Sequence, residues 1–100
     1  MKTLGLPELT AEQIERLCLR AEQTARKTVL SKIPSKQVET LNIVTETKGA
    51  NPITLTIDVE LILSPSTKSV NAKEIADEAV KQAFEAAEKY LEGLKRHSQK

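Results

Sequence analysis

The residues that could perform acid–base, nucleophilic or metal chemistry are few in this 100-residue sequence. His97 is the single histidine, so neither a histidine-based triad nor a multi-histidine metal site can be built from this chain. Cys18 is the single cysteine, and it falls within an apolar helical pattern, which is typical of a small buried residue rather than a nucleophile. We therefore predict that the protein is not an enzyme.

Three carboxylates, Glu74, Asp77 and Glu78, cluster at the start of a predicted helix. Negative side chains there complement the positive end of the helix macrodipole, and their spacing does not match that of a calcium-binding loop. The three glycines are too widely separated to form a phosphate-cradling loop. We expect no metal, no cofactor and no small-molecule substrate.

A basic ridge, defined by Arg16, Arg20 and Lys27, is the strongest electrostatic feature of the sequence. These side chains repeat at helical spacing opposite the apolar stripe, and they could contact phosphates of a structured RNA. The formal net charge of +1 gives no global attraction for nucleic acid, and two aromatic residues are too few for base stacking. A solvated helix face is the preferred interpretation, and a small RNA-binding module is the alternative.

From its first residues we expect no signal peptide in this sequence. Residues 1–9 form an N-terminal segment without a signal-type apolar stretch, and no run of 18 apolar residues occurs anywhere. A lone cysteine excludes an internal disulfide. We expect a cytoplasmic protein without membrane contact, folded as a single domain over residues 1–100.

Helical periodicity appears in two long segments. Thr10 and Gln13 form a capping-box pair that starts the first helix, which Pro34 ends. Asn71 caps the second helix, which should run to about Arg96, and residues 97–100 should fray. The apolar stripe of the second helix consists largely of alanine.

Between the helices, two segments have the period of two that is typical of strands. The segment 37–47 is loosely alternating, whereas 53–63 alternates clearly between aliphatic and polar residues. A turn at 48–52 contains glycine and asparagine, which adopt positive φ readily. We predict an antiparallel hairpin with Thr47 opposite Ile53, although the facing of the side chains is better determined than this particular pairing. The predicted fold is α+β, in the order helix, β-hairpin, helix.

A two-stranded sheet is too small to be stable alone, and two long helices have little sheet to cover. We expect the sheet to be completed by dimerisation, with hairpins from two chains joined edge to edge. The alanine stripe buries little apolar area per residue, so contact with a second chain could supply the missing buried area. The alternative is that the alanines simply favour the helix and pack against the sheet of a monomer. The candidate protein interface comprises Val38, Val44 and Ile62 on the hairpin, and Ala76, Ala83 and Ala87 on the second helix.

Three stretches of the sequence carry a resemblance to a known family. They are Leu-Pro-Glu-Leu-Thr-x-Glu-Gln-Ile at 6–14, Ile-Thr-Leu-Thr-Ile-Asp-Val-Glu-Leu-Ile-Leu-Ser-Pro at 53–65, and Asn-x-Lys-Glu-Ile-Ala-Asp-Glu-Ala-Val at 71–80. They resemble a small archaeal family of uncharacterised proteins. That family looks like a paralogue of the small dimer-forming subunit of KEOPS, the complex that adds threonylcarbamoyl to adenosine in transfer RNA.

The resemblance implies a role in assembly. The chain would pair with the small KEOPS subunit, or with itself, and control how many complexes join, touching transfer RNA only indirectly. The small KEOPS subunit begins with a strand, whereas residues 1–9 here show no strand pattern, and its last helix has Arg- and Asn-containing motifs that residues 77–84 lack. We therefore transfer no individual functional residue.

Overall fold

The computed structural model describes residues 2–6, 9–49, 53–65 and 70–98. Helix α1, Ala11–Lys32, begins at the predicted capping box: Gln13 N donates to Thr10 Oγ1 at 3.1 Å, and Thr10 N donates to Gln13 Oε1 at 2.9 Å. It ends where Ile33 N donates to Val29 O at 3.1 Å, immediately before Pro34. Both predicted ends of this helix are confirmed.

Helix α2, Ala72–Ser98, starts where predicted, because Asn71 Oδ1 accepts hydrogen bonds from Lys73 N and Glu74 N at 3.0 and 3.3 Å. The helix continues past Arg96 through Ser98, two residues beyond its predicted end, and the fraying of residues 97–100 stays a prediction. Residues 99–100 of that predicted tail lie outside the described residues.

Among the described residues the sheet has three antiparallel strands rather than two: β1, Lys2–Leu6, β2, Val38–Lys48, and β3, Ile53–Leu63, in the order β1-β3-β2. The predicted hairpin of β2 and β3 is confirmed, whereas the expectation of no strand within residues 1–9 is wrong. In this five-residue segment the alternation rests on Leu4 and Leu6 alone, with a glycine between them, so the strand pattern is weak. Its conformation is fixed by pairing with β3, which a local pattern does not reveal.

The hairpin register differs from the predicted one by two residues, since Thr47 pairs with Leu55 and not with Ile53. Lys48 remains in the strand, and Gly49, with φ 85°, begins the turn. Residues 50–52 of the predicted turn lie outside the described residues. A shift of two preserves which side chains face the core, so the predicted facing of β3 is confirmed: Leu55 and Ile57 are buried.

Both helices lie on one face of the sheet, α2 over β3 and α1 over β2, and they also pack against each other. The core lies between these two layers. Its fully or nearly fully buried members are Leu17, Ala21, Ala25, Val29, Ile33, Leu55, Ile57, Leu61, Ile75, Ala79, Ala83, Phe84 and Ala87. Small residues recur at i, i+4 on both helices, which allows the two backbones to approach closely. The alanine stripe of α2 is therefore occupied within the chain.

Candidate functional site

The outer edge of β2 is open along the whole strand, because β2 pairs only with β3 in the described part of the chain. Natural edge strands are usually protected by lysine, proline or a covering element. The middle of β2, residues 40–45, reads Thr-Leu-Asn-Ile-Val-Thr and carries no charge or proline. The charges lie towards its ends, where Lys48 Nζ is 3.9 Å from Glu46 Oε2. This edge can accept another strand.

The helix layer covers β2 less completely than β3. Leu41 and Ile43 point towards the core but are only half-buried, whereas Leu55 and Ile57 of the central strand are 0% and 1% exposed. Apolar surface therefore remains partly in contact with water directly beside the open edge. A chain that extended the sheet past β2 would cover this surface.

The three hairpin residues predicted at an interface do not form one patch. A register shift between Val38 and Thr40 places Val38 against the core, so its predicted position on the outer face is wrong. Val44 and Ile62 are exposed on that face, at 49% and 47%, but Ile62 pairs with Thr40, four residues from Val44. They are separate exposed residues, which are ordinary on a protein surface.

The three alanines predicted at an interface divide into two groups. Ala83 and Ala87 are 0% exposed within this chain, so the prediction that they are available to a partner is wrong. The physical reason is that α1 packs against α2, and Ala21 and Ala25 of α1 belong to the same buried cluster. Ala76 is half-buried and lines a groove beside β3.

That groove, of about 570 Å³, lies between β3 and the first half of α2, and no pattern in the sequence predicts it. Ala76 and Val80 of α2 form an apolar floor with Ile57 and Val59 of β3. Charged residues complete the lining: Asp58, Glu74, Asp77, Glu78 and Lys81. With four carboxylates and one ammonium group, the lining is strongly acidic. The alternating acids of β3 were visible in the sequence, but their proximity to the acidic start of α2 depends on tertiary packing.

Glu78 is ionised in this groove at neutral pH. The Gln82 side-chain amide donates a hydrogen bond to Glu78 Oε2 at 2.7 Å, and this bond, more than the nearby Lys81 and Lys32 charges, lowers the pKa of the Glu78 carboxyl below its usual value. Since hydrogen bonding to a carboxylate favours the charged form, the groove keeps its negative charge.

The basic ridge of α1 is exposed but partly engaged within the chain. Arg16 Nη2 lies 2.7 Å from Glu12 Oε1, one turn earlier on the same helix. The Arg20 guanidinium carbon lies 5.6 Å from the centre of the Tyr90 ring, a cation–π arrangement that links α1 to α2. Lys27 is exposed on the same helix. Two of the three ridge residues, Arg16 and Arg20, therefore already interact with side chains of this chain.

The other candidates for chemistry are dispersed. Cys18 is half-buried and packs against the core, as its position in the apolar stripe predicted. Among the described residues, no three His, Cys, Asp or Glu side chains are grouped so as to hold a metal ion. Within the same residues, neither helix is long and apolar enough to cross a bilayer.

Comparison with known proteins places the chain in a family. The family model DUF3194, described as a protein of unknown function, matches residues 6–90. The chain belongs to the DUF3194 family. This match extends from the end of β1 through most of α2, so it includes both the open β2 edge and the β3–α2 groove.

Three proteins of named organisms are similar to this chain in sequence or in fold. An uncharacterised protein of Thermococcus kodakarensis is 30% identical over 96% of this DUF3194 chain and 88% of its own length. A crystal structure from Thermococcus onnurineus NA1 superposes with a TM-score of 0.84 and 26% identity, over 95% of this chain and 91% of that one. The solution structure of a hypothetical protein from Methanothermobacter thermautotrophicus has the same fold, with a TM-score of 0.75 and 22% identity over 90% and 97% of the two chains.

Proposed function

We propose that this chain is a non-enzymatic protein-interaction subunit that dimerises through the outer edge of β2. The observation that carries the proposal is the uncharged, unpaired middle of β2 beside the half-covered side chains of Leu41 and Ile43. Strand addition of this kind supplies backbone hydrogen bonds, and side chains on alternate faces supply specificity.

A stable dimer needs both the backbone hydrogen bonds of strand pairing and the burial of apolar side chains. Each intermolecular hydrogen bond contributes about 1 kcal/mol net. Association costs roughly 4–15 kcal/mol in lost translational and rotational freedom, so a short strand pairing alone is too weak. Covering apolar surface adds about 25 cal/mol per Å². The remaining exposed surface of Leu41 and Ile43, together with the neighbouring α1, therefore has to be part of the interface.

The partner is either a second copy or a paralogous chain, and the resemblance to a KEOPS small-subunit paralogue gives the narrower form of the proposal. In that form the chain pairs with the small KEOPS subunit in the cytoplasm and controls how many complexes assemble, without itself contacting transfer RNA. Strand β1 supports this form, because the small KEOPS subunit also begins with a strand before its first helix. The difference in the last-helix motifs remains.

Light scattering behind a sizing column tests the proposal. The purified chain is measured alone and mixed with the small KEOPS subunit of the same source, at micromolar concentration. We expect a homodimer alone and, in the narrower form, exchange into a heterodimer. A monomer of about 11 kDa in both samples would contradict the dimerisation proposal. A homodimer that forms no heterodimer when mixed with the small KEOPS subunit would contradict only the narrower form.

A matched pair of variants locates the interface. Val44→Lys puts a charge in the middle of the β2 edge, and Ile62→Lys puts the same charge on the same face of β3; the two side chains have nearly equal exposure, 49% and 47%. We expect Val44→Lys to weaken dimerisation, because an introduced ammonium group opposes edge-to-edge pairing. Ile62→Lys should leave the dimer intact. Equal effects of the two variants would show that the contact does not involve the β2 edge.

A further inference from the structure

The sheet has a second incomplete edge on the opposite side from β2. Strand β1 pairs with β3 over Ile53–Ile57 only, so among the described residues no strand lies beside 58–63 on that side. This free half of β3 borders the groove lined by α2. An added strand here would therefore find a row of unpaired backbone groups and an apolar floor formed by Val59, Ala76 and Val80.

The charge of this edge argues against a second copy of the same chain. Asp58 and Glu60 are exposed on the outer face of β3, and Glu74, Asp77 and Glu78 lie along the neighbouring helix. Antiparallel pairing of two such edges would bring Asp58 and Glu60 of one copy close to the same residues of the other. Like charges opposite one another destabilise a strand pair, whereas opposite charges stabilise it.

We propose that the free half of β3, with the groove beside it, binds a short extended segment of a different protein in which basic and aliphatic residues alternate. Because side chains of a strand alternate between faces, one set enters the groove over Val59 and Val80, and the other meets Asp58 and Glu60. Lysine or arginine on the second set pairs with Asp58, whereas Glu60, whose Oε1 accepts a hydrogen bond from Asn42 Nδ2 at 2.9 Å, contributes its negative charge on the same face. The acidic rim of α2 attracts the segment from solution. This interface is independent of the β2 edge, since the two lie on opposite sides of the sheet.

The probe is a capped hexapeptide, Lys-Val-Lys-Val-Lys-Val, titrated into the isotopically labelled full chain and followed by amide chemical shifts. Two control peptides are Glu-Val-Glu-Val-Glu-Val, which reverses the charge, and Lys-Lys-Lys-Val-Val-Val, which keeps composition and loses alternation. We expect shift changes concentrated at 58–63 and 76–81, binding that weakens at high salt, and weaker binding of both controls.

Charge reversal in the protein distinguishes this groove from general attraction to an acidic surface. Asp77→Lys changes the groove rim, and Glu85→Lys makes the same charge change at an exposed position of the same helix outside the groove. We expect Asp77→Lys to weaken peptide binding about three- to tenfold, and Glu85→Lys to change it less than twofold. Asp58→Lys, on the strand side, should reproduce the loss without any change in α2.

Three results would overturn the inference. They are equal losses for Asp77→Lys and Glu85→Lys, equal binding of the basic and acidic peptides, and shift changes at 40–45 in place of 58–63. The circular dichroism spectrum of each variant verifies that the fold is retained. A monomeric chain that still binds the basic peptide at β3 would contradict the dimerisation proposal and support this one, so the two proposals fail separately.

Discussion

Replacing Ala83 with leucine tests whether the alanine stripe of α2 is occupied within the chain. Ala83 is 0% exposed, and so are Ala21 and Ala25 of α1 and Ala79 and Ala87 of α2. Because these alanines are fully buried in one cluster and the two helices pack against each other, there is little room for a larger side chain. Leucine adds three carbon atoms where the chain is already close-packed.

The expected loss of stability follows from overpacking. Extra methylene groups in a well-packed core cost about 1–3 kcal/mol, which is a substantial share of the 5–15 kcal/mol typical for a domain. For a domain of about this size, 1 kcal/mol lowers the melting temperature by roughly 4–8 °C, so a 2 kcal/mol loss corresponds to roughly 8–16 °C. The fold should survive, with a lower unfolding midpoint.

Urea unfolding followed by circular dichroism measures this change, with Glu85→Leu as the control. Glu85 is exposed on the same helix, so the same new side chain there should alter stability by less than about 0.5 kcal/mol. If Ala83→Leu were as stable as the control but lost its ability to dimerise, Ala83 would be an interface residue after all. That result would refute the helix–helix packing described above.

Three further predictions concern local features of the fold. Thr10→Ala should lower the free energy of unfolding by about 1 kcal/mol, measured by urea unfolding, because it removes the hydroxyl that accepts a hydrogen bond from Gln13 N. Gly49→Ala should cost roughly 1–2 kcal/mol in the same measurement, since φ is 85° there, and Gly49→Asn should cost less. The lowered pKa of Glu78 should stabilise the fold above about pH 4.5, the ordinary value for this carboxyl, and lose this contribution as the pH falls through the folded-state pKa. Carboxyl chemical shifts against pH should show that Gln82→Leu returns the pKa towards its ordinary value; an unchanged pKa would contradict the assigned hydrogen bond.

The helices and the hairpin were predictable because their determinants are local. At each helix N-terminus, backbone N–H groups donate hydrogen bonds to a side chain only two or three residues away. Thr10 accepts from Gln13 N, and Asn71 accepts from the N–H groups of Lys73 and Glu74. The alternation of β3 is a period-two pattern that decides facing independently of register. The register itself depends on where the turn begins, and the same facing is compatible with a shift of two residues.

The remaining features of the fold depend on tertiary packing, which local sequence patterns do not show. Strand β1 is short, and its pairing partner lies about fifty residues away in sequence, at Ile53–Ile57. Val38 changes face because of a register shift that no periodicity shows. The alanine stripe was recognised, but whether α1 or another chain fills it depends on how the helices pack over the sheet. Lys2, at the start of β1, pairs with Ile57, whereas β3 continues to Leu63, so among the described residues no strand lies beside Val59 at the groove.

The two open edges differ in a way that bears on what each can bind. The middle of β2 is uncharged, so an identical or closely related strand meets it without like-charge repulsion. The free half of β3 carries Asp58 and Glu60 next to an acidic helix, so a like strand is repelled and a basic one is attracted. Since β3 separates the two edges, a chain that dimerises at β2 keeps its β3 edge free. A dimer of this kind would hold two acidic grooves, one on each side of one continuous sheet, and so could bind two copies of a basic partner at once.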